Sequence, residues 1–262
     1  MTDQKVIWIT GASSGIGKAA ALRFAQAGYS LIISARTSQA LQEVKTACPN
    51  PKKVKILELD LADSSLMPDK VREAISSFGK VDILLHNAGI SQRSLIKDTA
   101  LSVDRKLMEI NFFGTVALTK AILPHFIQNQ SGHFGVVTSL VGKFGTHYRS
   151  AYAASKHALH GFFDTLRAEH FQDRIGVTLI CPGFIRTQVS VNALTADGTP
   201  LNEMDEAQEK GMKPEDCAEE IFKAITHKKE EVLIGGKEIY AVYLKRFFPK
   251  LFSKILRKAK VR

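Results

Sequence analysis

The chain has 262 residues, 45% of them hydrophobic, and a formal net charge of +10. This is enough apolar material for one large core, while Cys48, Cys181 and Cys217 are too few and too scattered for a disulfide framework or a zinc site, so a reducing compartment and no metal are expected. The charge is concentrated at one end: residues 237–262 hold nine Lys/Arg against Glu238 alone, and the other 236 residues carry only +2, without general attraction for polyanions.

Residues 6–9 read as a short buried strand, so close to the amino terminus that no signal peptide is expected. Thr10, Gly11, Ala12, Ser13, Ser14, Gly15, Ile16 and Gly17 follow at once. A helical stretch at 18–27 then stops at Gly28, a residue suited to the left-handed position after a helix. Strand, glycine-rich turn and helix N-terminus together make an anion site. Unpaired amides and the positive end of the helix dipole face the ligand, and the glycines let a pyrophosphate approach the backbone. Further strand candidates lie at 31–34, 54–59, 82–86, 134–138, 177–181 and Glu231–Ile234, alternating with helices that include 102–128 and 151–171. That alternation predicts an α/β fold: a single-domain, Rossmann-type, doubly wound parallel sheet with helices on both faces. No apolar run approaches the roughly 20 residues of a spanning helix, and the expected location is cytoplasmic.

Tyr152 and Lys156 stand at i and i+4 on the second of those helices, 41 and 45 residues after Asn111 and 13 and 17 after Ser139. That spacing stacks the two side chains on one face. An ammonium near a phenol favours phenolate, and at an effective dielectric near 20 a contact of about 4 Å is worth up to about 4 kcal/mol before desolvation opposes it. Tyr152 is thereby a candidate proton donor and acceptor. Tyr148, eight residues before Lys156, has poorer spacing, and Thr138 points away from Ser139 if the strand continues.

The chain resembles the short-chain dehydrogenase/reductase family. The glycine spacing Gly11-x3-Gly15-x-Gly17 is the family's variant of the dinucleotide fingerprint. The resemblance continues through Asp60 and Leu61, Asn87, Ala88 and Gly89, then Asn111, Ser139, Tyr152, Lys156, Pro182, Gly183 and Thr187, in the family's order. The stretch from Pro182 to Gly198 is similar to the branch of member 7B, a relative of the corticosteroid 11β-dehydrogenases.

The second strand ends in Ile33, Ser34, Ala35, Arg36 and Thr37. Enzymes of this architecture that use NAD place an acidic side chain here for the adenine ribose. None stands at 34–38, whereas the Arg36 guanidinium suits a 2′-phosphate, so the expected cofactor is NADP(H). The resemblance implies the remaining roles. Asp60 and Leu61 hold adenine, and Asn87, Ala88 and Gly89 flank the ribose and nicotinamide. Pro182, Gly183, Ile185 and Thr187 also bind the cofactor, with Thr187 on the carboxamide. Tyr152 exchanges the proton while hydride moves between nicotinamide and substrate. Lys156 depresses its pKa and bonds the nicotinamide ribose, Ser139 steadies the carbonyl oxygen, and Asn111 holds a relay water. Helices 102–128 and 151–171 pair across a two-fold axis, which implies a homodimer or homotetramer. The rival reading is a catalytically silent dinucleotide-binding regulator or scaffold.

Residues 184–213 are long, mixed in polarity and poor in periodicity, as lids are. The resemblance makes them a substrate cover, with Val189, Val191, Leu194, Leu201 and Met204 as apolar lining for a hydrophobic, lipid- or steroid-like carbonyl or alcohol. The expected division is a catalytic domain at 1–236 and a basic amphipathic tail at 237–262. In the tail, Tyr240, Leu244, Phe247, Phe248, Leu251, Phe252, Ile255 and Leu256 recur at spacings of three and four, with Pro249 breaking the stripe. The stripe suits packing on the body or a second subunit, or peripheral attachment to anionic membrane. Nucleic acid is not an expected partner, because large apolar residues at helical spacing add nothing to phosphate contact.

Overall fold

Seven short hydrophobic segments pair side by side, all in parallel, in a computed structural model that describes residues 4–259. They are β1 (Val6–Thr10), β2 (Ser30–Ser34), β3 (Val54–Ile56), β4 (Ile83–His86), β5 (Gly132–Val137), β6 (Ile175–Pro182) and β7 (Glu231–Ile234). Their order across the sheet is β3-β2-β1-β4-β5-β6-β7. The chain builds outward from β1 in one direction, then returns to pair β4 on its other side, with Ile7 opposite Ile83. A crevice therefore opens at the carboxyl ends of β1 and β4, where the strand order reverses.

Both faces of the sheet are covered, which is why its strands read as continuous apolar runs rather than alternating ones. Ile7, Ile9, Leu31 and Ile33 point into one core with Phe24 of α1 (Gly15–Gln26), Leu41 of α2 (Ser38–Ala47) and Ile221 of α8 (Pro214–Thr226). Trp8, Ile32, Leu84 and Phe134 point into the other. There they meet Val71 of α3 (Met67–Phe78), Leu118 and Phe126 of α5 (Gly114–Gln128), and Phe163 of α6 (Ser150–Glu169). The expected strand at 54–59 is shorter than its sequence suggests. Beyond Ile56 only the amides of Leu57 and Leu59 still reach β2 and its extension, bonding Ile33 and Ala35 at 3.1 and 2.9 Å.

One expectation is corrected. The helical run Leu101–Gln128, comprising α4 (Leu101–Met108), a π-helical turn (Glu109–Phe113) and α5, contains an 18-residue window of mean hydropathy 1.3, long and apolar enough by length and composition to cross a membrane. Its buried residues, including Leu107, Asn111, Thr119 and Phe126, face the body of the protein, while Leu101 and Phe113 are exposed. Short apolar stretches had concealed it, because charged residues interrupt its outer face.

Pro249 divides the tail as the sequence predicts, into α9 (Tyr240–Phe247) and α10 (Pro249–Lys258). The stripe has two destinations. Phe252 is buried with its ring 5.2 Å from that of Phe144, and Leu244 and Leu256 pack into the same cluster beside Leu140. Tyr240, Phe247, Phe248, Leu251 and Ile255 face outward, each at least half exposed. Lys260 and Arg262 lie outside the described residues.

Candidate active site

The crevice is a cleft of about 870 Å³. Its floor begins where β1 meets the glycine turn. Gly11 adopts φ +65°, which a side chain resists, and a Cβ there would lie 2.8 Å from the Ala88 Cα. Gly17 has ordinary helical geometry but no room: a Cβ would sit 2.2 Å from the Gly11 carbonyl oxygen. The turn is thus pressed onto the end of β4. Asn87 Nδ2 donates to the Thr10 and Gly11 carbonyls, both at 3.1 Å, and the Thr10 hydroxyl accepts from the amides of Asn87 and Ala88 at 3.1 and 3.2 Å. Thr10 was legible as the last residue of a strand, though nothing marked its hydroxyl as the joint between two loops.

Gly11, Ser13, Ser14, Gly15, Ile16, Arg36, Asp60, Leu61, Asn87, Ala88 and Gly89 all line the cleft. So do Ser139, Tyr152, Lys156, Pro182, Gly183, Ile185 and Thr187. Gly17 and Asn111 stand behind the wall. Asn111 is buried in the π-helical turn, and its side chain straps the loop after β4: Oδ1 accepts from the Ile90 amide at 2.8 Å, and Nδ2 donates to the Ile90 carbonyl and Ser155 Oγ at 2.9 and 3.1 Å. Insertions of this kind often accompany functional sites, because one extra residue redirects a side chain. Arg36 is exposed at one end of the cleft, beside Ser34, Ala35 and Thr37.

At the other end, Ser139 and Tyr152 line the cleft together; the Ser139 hydroxyl donates to the Pro182 carbonyl and accepts from the Val141 amide, both at 3.3 Å. Thr138 is turned away, its hydroxyl donating to the Ile180 carbonyl at 3.0 Å and Cys181 Sγ at 3.2 Å. The Tyr152 pKa is raised, by burial above all, with the Ser139 hydroxyl and the guanidiniums of Arg93 and Arg149 opposing that rise. Lys156 is differently placed from the sequence expectation. Its Nζ lies 5.8 Å from the Tyr152 ring centroid and donates to the Val137 carbonyl at 2.9 Å, and burial brings its own pKa down to about 8.

The outer wall is residues 184–213. Val189 and Leu194 of the expected lining reach the cleft, joined by Gln188, Asn192, Pro200 and Gln208; Val191, Leu201 and Met204 do not. Polar residues therefore contribute more to this wall than the sequence suggests. Helix α6, which carries Tyr152 and Lys156, receives an unforeseen cap: Gln92 Oε1 accepts from the amides of Ala151 and Tyr152 at 2.9 and 3.4 Å. No local signal marks a residue 60 positions upstream for that task.

Sequence reading also expects no metal site, yet the fold brings potential donor atoms of His160, Cys181 and Glu231 within 4.8 Å of one another. Glu231 is committed to an ion pair with Lys143, and burial pushes the Cys181 thiol up to about 12.

The family model for short chain dehydrogenases matches residues 5–197. The chain belongs to that family. It is 42% identical over 259 residues to dehydrogenase/reductase SDR family member 7B from Rattus norvegicus, a match covering 96% of this chain and 80% of the relative. Among solved structures, a short chain dehydrogenase/reductase from Burkholderia phymatum in complex with NAD superposes with a TM-score of 0.83 at 23% identity, covering 95% of each chain. An alcohol dehydrogenase from the archaeon Thermococcus sibiricus, complexed with 5-hydroxy-NADP, gives a TM-score of 0.75 at 25% identity over 90% of this chain and 97% of that one. Family membership makes this chain an oxidoreductase with a dinucleotide cleft, and the parallel seven-stranded sheet is the fold that the solved structures share.

Proposed function

We propose that the protein is an NADP(H)-dependent oxidoreductase that interconverts a hydroxyl and a carbonyl on a hydrophobic, lipid- or steroid-like substrate, with Tyr152 as acid/base. The observation that carries this reading is that Ser139, Tyr152 and Lys156 line one end of a cleft whose opposite end is built from Gly11, Gly15 and Arg36. A binding protein that only held the dinucleotide has no use for a paired hydroxyl and phenol at that position.

The residues fit the cofactor. Gly11 and Gly17 occupy positions that a Cβ would fill, which leaves the helix N-terminus open to a pyrophosphate. Arg36 offers charge-assisted bonds to a 2′-phosphate with no carboxylate beside it at 34–38. The two solved relatives carry NAD in one case and an NADP derivative in the other, so the preference rests on Arg36. Asp60 and Leu61 would hold adenine, Asn87 to Gly89 the ribose and nicotinamide, and Pro182, Gly183, Ile185 and Thr187 the nicotinamide end, since all of them line the cleft. When bound, the nicotinamide supplies or accepts the hydride.

The chain's own work is proton transfer. Tyr152 gives a proton to the carbonyl oxygen in reduction and takes one from the hydroxyl in oxidation, while Ser139 donates to that oxygen as charge develops. Lys156, whose ammonium donates to the Val137 carbonyl at 2.9 Å, is the cation that would bond the nicotinamide ribose. The Asn111 amide is occupied by Ile90 and Ser155, so a relay water falls to its main-chain carbonyl, which already accepts from Thr115 at 3.0 Å.

The assembly and location follow from exposed apolar surface. Phe113 and Phe171, 51% and 75% exposed at α5 and beyond α6, suit a homodimer or homotetramer formed through those helices. The outward half of the tail stripe, with its Lys and Arg, suits peripheral attachment to anionic membrane from a cytoplasmic side. The test is NADPH consumption with a panel of hydrophobic aldehydes and ketones. The reading expects turnover that NADH does not match; a panel without turnover, despite saturating NADPH, favours the scaffold reading instead.

A further inference from the structure

Helix α6 does not begin on a cap of its own. Its first internal bond runs from the Ala153 amide to the Arg149 carbonyl at 2.8 Å, so the amides of Ala151 and Tyr152, one and two residues earlier, look outside the helix for acceptors. Arg149, at the cap position, makes no side-chain cap bond and ion-pairs with Asp205. Gln92, from the loop after β4, supplies the acceptor: its Oε1 takes both amides, at 2.9 and 3.4 Å. Its Nε2 donates towards three hydroxyls, those of Ser94 at 3.1 Å, Thr99 at 3.2 Å and Ser150 at 3.3 Å. The residue is completely buried, with both ends of its amide engaged.

The backbone around the same residue meets the outer wall. The Arg93 amide donates to the Leu194 carbonyl at 2.8 Å and the Leu194 amide to the Ser91 carbonyl at 2.9 Å, a parallel bridge centred on Gln92 and Leu194. Leu194 lines the cleft, and Ile90, two residues before Gln92, is strapped to Asn111 through both its amide and its carbonyl. The Ser94 amide donates to the Tyr148 carbonyl at 3.1 Å, which holds the loop against the chain entering α6. Gln92 thus joins the loop that carries Asn87 to Gly89, the outer wall, and the first turn of α6. We infer that Gln92 is a positioning residue: by capping the turn that carries Tyr152 from the loop that would flank the nicotinamide, it fixes where the phenol stands relative to cofactor and substrate. The inference rests on the proposed acid/base role of Tyr152.

The place of Tyr152 in the helix makes the cap matter. Tyr152 is the third residue of α6, in the turn that frays first when its amides lose their acceptors. Proton transfer needs the phenol within hydrogen-bond reach of the substrate oxygen while hydride moves, and a displacement of about 1 Å costs about a hundredfold in rate. Gln92 does not line the cleft, so it acts through Tyr152 and not on the ligands. A cap that served stability alone would change the folding free energy and leave turnover by the folded protein where it was.

The test compares Gln92→Leu, Gln92→Asn and Gln92→Glu. Leucine keeps the volume and removes the acceptor, and asparagine keeps the amide but falls short by one methylene. Glutamate keeps an oxygen for both amides, and the hydroxyls of Ser94 and Ser150 can turn to donate to its second oxygen. Three quantities are read: kcat and KM with NADPH and a hydrophobic aldehyde, NADPH affinity by calorimetry, and hydrogen exchange of the amides at 150–153 by mass spectrometry. In Gln92→Leu and Gln92→Asn, kcat should fall about tenfold or more while KM and NADPH affinity stay within about twofold, and the amides should exchange about tenfold faster. Gln92→Glu should keep kcat within about threefold of the unmodified protein. An unmoved kcat in Gln92→Leu and Gln92→Asn, a loss in Gln92→Glu as large as in Gln92→Leu, or a loss of NADPH affinity that matches the loss of kcat would each overturn the positioning role. Should Gln92→Leu fail to fold, the contrast between Gln92→Asn and Gln92→Glu still decides. If Tyr152→Phe turns over as fast as the unmodified protein, it is the functional reading that fails, and the amide exchange judges the cap separately.

Discussion

The two walls of the cleft are made differently. The inner wall is the carboxyl edge of the sheet, where short turns leave strand ends and every contact is close: Gly17 against Gly11, Asn87 across Thr10, Ser139 at the end of β5. The outer wall, residues 184–213, has the four-residue helix α7 (Glu206–Glu209) and a few isolated bridges among its described elements, with backbone bonds from Leu194 and Ala196 and the buried Asp205–Arg93 ion pair tying it to the body. Close backbone packing holds the first wall, whereas the second is joined to the body by a few loop hydrogen bonds and buried ion pairs. In the function proposed above, the inner wall holds the cofactor and the outer one governs access.

Substitutions should separate the two. Gly17→Ala is the largest expected blow to the inner wall, because its Cβ meets a backbone carbonyl that cannot move without opening the turn. We expect no NADPH binding by calorimetry at concentrations that saturate the unmodified protein, with a fold destabilised by about 1–3 kcal/mol. Arg36→Ala should weaken NADPH by about 1.5–3 kcal/mol and leave NADH nearly unchanged; equal losses for both cofactors would detach Arg36 from the 2′-phosphate. The smallest effect belongs to the outer wall. Val189→Ala should raise KM for a hydrophobic aldehyde by about fivefold, or about 1 kcal/mol, without altering NADPH affinity. A fall in kcat instead would break the division of labour between the walls.

The same contrast explains what could be read in advance. The glycine turn, Ser139 and the Tyr152–Lys156 pair were visible because their chemistry depends on spacing within one strand-turn-helix unit or one helical turn. The strand alternation gave the sheet for the same reason. Arg93, Arg149 and Asp205 stand 56 and 112 residues apart in the chain, and each looks like an ordinary surface charge until the fold buries it. Gln92 is equally silent, since a helix cap is normally sought next to its helix. The tail stripe was legible as a helix with a break at Pro249. That it divides between Phe144 and open surface depends on where α9 leaves the body, which periodicity does not encode.

The claim that most needs a direct answer is hydride transfer with proton exchange at Tyr152. NADPH carrying deuterium at nicotinamide C4, on the face that transfers, would be incubated with a hydrophobic aldehyde, and the alcohol examined by mass spectrometry. The account predicts one deuterium at the carbinol carbon with the unmodified protein. It also predicts a rate at least about a hundredfold lower with Tyr152→Phe at equal NADPH occupancy. Label transfer at the same rate in both proteins, or none in the unmodified protein with any carbonyl of the panel while NADPH is bound, would contradict it.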